Sequence, residues 1–172
     1  MKKVEFTIPA EIDSILPLRS LIEKVGFRYA FASKIIHAVK LAVEEAVTNI
    51  IRHGYMNTTD GKITIQICVR SNSLRIVLID QGPSFDPIQV NDPDLAKYID
   101  AGKRGGLGIF MIRKLMDEFH YSVTDRGNEI HMIKYCDGSK RSKFCFFLHA
   151  LKSPSKLKYF LPIRLDCSKN LQ

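Results

Sequence analysis

Val4, Phe6 and Ile8 alternate with Glu5 and Thr7, a period of two that predicts a β-strand ending at Pro9. From about residue 11 the period lengthens. Ile15, Leu18, Leu21, Ile22 and Val25 form the apolar face of a helix, with Gly26 as its expected stop and Pro17 leaving its first turn open. Between Ala30 and His53 the apolar positions Ile35, Ile36, Val39, Ala42, Val43, Ala46, Val47 and Ile50 recur three and four apart, which predicts a long amphipathic helix closed by Gly54. Two alternating segments follow, Lys62 to Val69 and Leu74 to Ile79, with Ser71-Asn72-Ser73 between them, and these read as a hairpin. After Asp80 periodicity lapses through a stretch punctuated by Pro83, Pro87, Pro93, Gly102, Gly105 and Gly106, where Asp92-Pro93 suits the start of one short helix. A loop of that length in a compact domain is either disordered or a functional lid. A further helix is expected from Leu107 to about Glu118, then strands Tyr121 to Thr124 and Glu129 to Lys134 around Arg126-Gly127-Asn128. This order predicts an α+β fold, a mostly antiparallel mixed sheet with its helices on one face.

Length and composition fit that picture. The 172 residues, 45% hydrophobic, suffice for one core and an appendage. No run of about 18 apolar residues occurs, and Met1-Lys2-Lys3 leads directly into the first strand, so a cytoplasmic protein without a transmembrane segment is expected. Cys68, Cys136, Cys145 and Cys167 lack metal-ligand spacing, and neither zinc nor disulfides are expected. The net charge of +8 is lopsided: after Tyr135 eight basic residues face two acidic ones, a net +6, which leaves +2 for residues 1–135. Direct nucleic-acid binding by the main body is therefore not expected.

Three clusters offer chemistry. Glu45 and Asn49, four apart, share one side of the long helix, placing a carboxylate and a hard-cation ligand before the same space. The same spacing also decorates ordinary exposed helices, and Glu44 competes for the role although it projects about 100° away. Asp80-Gln81-Gly82 ends a strand; it is either a plain turn or an acceptor for an exocyclic amine, with a glycine that lets a flat ring approach. Lys103-Arg104-Gly105-Gly106-Leu107-Gly108 opens a helix and is either a hinge or an anion site made of amides, helix dipole and two cations. It is neither a P-loop nor a dinucleotide fingerprint.

In this order, E-x-x-x-N on a long helix, D-x-G-x-x-F after a strand and G-G-x-G at a helix start, the motifs resemble those of the GHKL ATPase superfamily. Glu45-Ala46-Val47-Thr48-Asn49, His53-Gly54-Tyr55 and Arg104-Gly105-Gly106-Leu107-Gly108-Ile109 are similar to the anti-sigma-factor serine/threonine-protein kinases of bacterial partner-switching systems. The resemblance covers about residues 3 to 135 and implies a Bergerat-type sandwich that binds ATP and Mg²⁺. It implies Glu45 as general base toward a substrate serine and Asn49 as magnesium ligand. Asp80 would read adenine with Gly82 giving the ring room, and Arg104, Gly105, Gly106 and Gly108 would contact phosphate under a lid at 87–104. The implied partners are an anti-sigma-factor antagonist, which is phosphorylated, and a sigma factor, which is silenced, with the protein as a homodimer. Glu45 favours transfer to a hydroxyl over histidine phosphorylation. The rival reading is a nucleotide-dependent binding module that sequesters a partner without chemistry.

Two features stand outside the family pattern. Arg19 is either a γ-phosphate contact or a solvated helix arginine. Residues 136–172, with Phe144-Cys145-Phe146-Phe147-Leu148 and Tyr159-Phe160-Leu161-Pro162-Ile163 set between lysines, form a basic and aromatic extension to an ATPase domain at 1–135. That extension suits an added strand and docking segment, an arm for an acidic partner or membrane surface, or a solvated tail.

Overall fold

A computed structural model describes residues 2–56, 60–84, 86–87, 92–94 and 106–136. The chain runs β1 (Lys2–Pro9), a 3₁₀ turn (Ile12–Ser14), α1 (Ile15–Arg28), α2 (Ser33–Asn49), a π turn (Ile50–Gly54), β2 (Lys62–Val69), β3 (Ser73–Asp80), α3 (Gly108–Leu115), β4 (Glu118–Thr124) and β5 (Gly127–Tyr135). The five strands lie in the order β1-β2-β3-β5-β4. Where a mixed sheet is expected from the sequence, every described pairing is antiparallel.

Strand register carries the period-two pattern across the whole sheet. Phe6, Ile65, Leu78, Ile130 and Tyr121 form one row through all five strands. Sheet residues of this parity join Ile22, Ile36, Val39, Val43, Val47 and Ile112 of the helices in one core, so the helices cover that face. Burial of each such Ile or Leu contributes roughly 1.5–3 kcal/mol. The adjoining row, Ile8, Ile63, Asp80, Asn128 and Val123, has the same parity but places two polar residues beside the core.

Several element ends differ from those the sequence predicts. Gly26 does not stop α1; the helix runs to Arg28, and a β-carbon at Gly26 would lie 2.5 Å from Cγ1 of Ile36, so this glycine lets α1 approach α2. The reversal falls at Ala30, with φ of 56°. Pro17 occupies the first turn of α1, where its missing N–H removes no helical bond. α3 ends at Leu115, short of Glu118, because Asp117 already donates its N–H to Ile133 O (2.9 Å) and its carboxylate accepts from the Tyr135 N–H (2.7 Å). Pairing with β5 thus takes residues 117 and 118 from the helix. Asp92 to Asp94 are not helical, and the rest of the segment expected to hold a short helix or lid lies outside the described residues, as does all of the extension past Cys136. Among the described residues no helix is long and apolar enough to cross a membrane.

Candidate functional site

The site forms where α2, the end of β3 and the start of α3 converge. Ala46 from α2, Ile50 from the π turn that follows it, Ile109 and Ile112 from α3 and Ile130 from β5 give an open cleft an apolar lining, while Asn49, Asp80 and Asn128 supply polar groups. The π turn at Ile50–Gly54, closed by Tyr55 N–H to Ile50 O at 3.0 Å, lays Gly54 against Gly82. A β-carbon on Gly82 would stand 2.8 Å from Gly54 O, so only glycine lets the β3 end seat on the helix end.

Glu45 and Asn49 together face the start of α3. A β-carbon on Gly108 would come within 2.6 Å of Glu45 Oε2, 3.4 Å of Asn49 Nδ2 and 3.7 Å of Asn49 Oδ1. One helix start therefore meets the carboxylate and the carboxamide at once. Glu44, the rival carboxylate, points elsewhere and pairs with Arg19 at 3.1 Å. Both of its partners are part-exposed, so this bridge is worth at most about 1 kcal/mol. Gly106 adopts φ of +86°, a left-handed conformation suited to glycine, and among the described residues no atom lies within 4 Å of where its β-carbon would stand. Arg104 and Gly105 lie outside the described residues.

Asp80 is buried, and its Oδ1 accepts two hydrogen bonds, from Gly82 N–H (2.9 Å) and Asn128 Nδ2 (3.0 Å). Among the described residues nothing donates to its Oδ2. Asn128 faces Asp80 across the β3–β5 ladder, and Gly127 makes this possible: φ there is +116°, and a β-carbon would collide with the Asp80 carbonyl oxygen. Tyr55 ties the same corner together, its hydroxyl donating to Lys62 O (2.9 Å) and accepting from Gln81 N–H (3.0 Å). Asn128 and Tyr55 were not singled out as site residues from the sequence. A signal existed for Asn128: it shares the inward parity of Ile130 and Met132, so an amide stands where an apolar side chain is expected.

The opposite sheet face carries a second polar group, away from the cleft. His131 Nδ1 accepts from Arg75 Nη2 at 2.7 Å and its Nε2–H donates to Glu129 Oε2 at 3.0 Å, a neutral tautomer fixed because arginine can only donate. Burial and the Arg75 charge push His131 below the ordinary imidazole value, with Glu129 opposing. Burial acts to raise the Glu129 carboxyl, but hydrogen bonds from Thr124 and Arg126 and the Arg126 charge bring it below the usual range.

Comparison with known proteins agrees with the resemblance read from the motifs. Residues 8–134 match the histidine kinase-like ATPase domain family. Serine-protein kinase RsbW of Bacillus velezensis is 32% identical over 142 residues, covering 80% of this chain and 88% of its own. The Bacillus subtilis protein of that name is 30% identical over 142 residues with the same coverage, and that of Bacillus thuringiensis 33% over 138 residues, with 78% and 85% covered. The crystal structure of the RsbU and RsbW domains of a Mycobacterium tuberculosis protein shares the fold, with a TM-score of 0.54 at 19% identity, over 78% of this chain and 32% of that longer one.

Proposed function

Because the chain belongs to the histidine kinase-like ATPase family and, within it, to the RsbW-like serine-protein kinases, we propose that it phosphorylates a small anti-sigma-factor antagonist on serine or threonine and otherwise holds a sigma factor inactive. The observation that carries this reading is the meeting of Glu45 and Asn49 with the Gly108 helix start, across the cleft that Asp80 lines. Asp80 accepts the adenine amine, and Gly82 leaves space for the ring. Gly106 and Gly108 offer backbone amides at the positive end of α3 to the phosphates, and the motif resemblance gives Arg104 and Gly105 phosphate contacts as well.

Asn49 fits a magnesium ion, since its carboxamide oxygen is a hard ligand beside the space the phosphates would fill. Magnesium bound there would neutralise phosphate charge during transfer. Glu45 takes the proton from the substrate hydroxyl as that oxygen bonds to the γ-phosphorus; the bond from phosphorus to the bridging oxygen breaks, and ADP leaves with the electron pair. Positioning and electrostatics supply most of such a rate enhancement. Residues 1–135 form the catalytic domain and 136–172 a basic and aromatic extension, a boundary supported by the end of the family match at residue 134. The protein works as a homodimer, and nucleic acid is not a direct partner.

Incubation with γ-labelled ATP, Mg²⁺ and candidate antagonist proteins tests the activity. Label on a serine or threonine of one of them is expected. Absence of label on all of them, from a protein that binds ATP, would leave the silent binding module in its place.

A further inference from the structure

We propose that Asn128 is the positioning residue that makes the cleft selective for a 6-aminopurine over a 6-oxopurine, an inference resting on the reading of this cleft as a nucleotide site. Its side-chain amide has four partners. Nδ2 donates to Asp80 Oδ1 (3.0 Å) and to Gly82 O (2.9 Å), while Oδ1 accepts from the hydroxyls of Ser84 (3.0 Å) and Tyr121 (2.9 Å). The alternative amide orientation would turn its oxygen on a carboxylate and a carbonyl, two acceptors at once. The network therefore admits a single orientation.

Its consequence falls on Asp80. Oδ1 is saturated by Gly82 N–H and Asn128, so the acceptor left to the cleft is Oδ2, held in one place by a buried, fully bonded neighbour. A carboxylate so held accepts and cannot donate. An exocyclic amine satisfies Oδ2; the carbonyl oxygen of inosine or guanosine would face the buried Asp80 carboxylate acceptor to acceptor. Without Asn128 the carboxylate keeps only the Gly82 N–H on Oδ1 and is held less firmly, and water can occupy the vacated space and donate to a carbonyl. Discrimination should then weaken even where binding survives.

The test measures ATP and ITP dissociation constants for the wild-type chain and for Asn128→Ala, Asn128→Asp and Tyr121→Phe, with Mg²⁺. Wild type is expected to prefer ATP by at least about a hundredfold, because the analogue leaves a buried acceptor unpaired. Asn128→Ala is expected to lower that ratio about tenfold or more. Asn128→Asp, of equal size but offering an acceptor to Asp80, is expected to lose ATP affinity at pH 8 and recover part of it toward pH 6, where the carboxylate pair shares a proton, while wild type does not. Tyr121→Phe keeps the ring in its packing and should fold, and it is expected to reduce the ratio by a few-fold. A purely structural role would weaken both nucleotides equally, and unchanged ratios in the variants that fold would overturn the proposal. Wild-type protein that binds ATP and ITP alike would also overturn it. Wild-type protein that binds neither would instead refute the nucleotide-site reading itself.

Discussion

Gly108 leaves Glu45 the space it stands in: a β-carbon on that glycine would come within 2.6 Å of the Glu45 Oε2. Because the encroached atom is the far end of a flexible side chain, Gly108→Ala should displace the carboxylate rather than break the fold. Alanine also favours the helix by up to about 1 kcal/mol. The expected outcome is a melting temperature within a few degrees of wild type and phosphotransfer reduced about tenfold or more, read from labelled-ATP kinetics beside a thermal melt.

Gly26 presents the opposite case. The atoms that a β-carbon would strike belong to Ile36, which is fully buried between α1 and the sheet and has no free direction in which to move. Gly26→Ala is expected to cost about 1–3 kcal/mol, the range for overpacking a filled core, despite better helix propensity. Denaturant titration measures it, with a lowered midpoint at unchanged slope.

Tyr55 links the first residue of β2 to the residue after β3 through one hydroxyl. Tyr55→Phe removes both bonds and leaves the Gln81 N–H, next to Asp80, without this acceptor. A loss of about 1–2 kcal/mol in stability is expected, with a several-fold weaker ATP dissociation constant in calorimetry because the Asp80 corner loosens.

The network on the far sheet face sets a pH dependence. His131 is held below its ordinary value of 6.5, so below about that pH the unfolded chain takes up a proton that the folded chain refuses. Stability is therefore present above pH 6.5 and is lost as pH falls through the lowered folded value. Glu129, lowered from 4.5, adds a loss in the same direction below about pH 4.5. Thermal melts from pH 7.5 to 5 should show a falling melting temperature, with a shallower fall in His131→Gln.

The long helix, both hairpins and the inward parity of the strands were legible in the sequence because each is a periodic pattern tens of residues long in sum. Glu45, Asn49, Asp80 and Gly82 were legible as types at a spacing; Asn49 and Asp80 line one cleft, with Glu45 beside Asn49 at the Gly108 helix start and Gly82 bonded to Asp80 Oδ1. Three features escaped for physical reasons. Gly26 reads as a stop because the sequence does not show Ile36 lying across it, and α3 ends early because Asp117 finds partners on a strand 16 residues downstream at Ile133. Asn128 reads as a turn residue because its importance arises only when the ladder sets it opposite Asp80. Glu44 and Glu45 were separable by helix geometry alone, and the Arg19 pairing of Glu44 agrees with that separation.

Single-turnover phosphotransfer by Glu45→Gln tests the central claim most directly. Gln keeps the size of the side chain and its packing against Gly108 but cannot take a proton from serine. The account predicts ATP affinity within a few-fold of wild type and transfer to the antagonist slowed by about 10²-fold or more, the usual contribution of a positioned general base. Transfer at the wild-type rate by Glu45→Gln, with ATP bound normally, would contradict it.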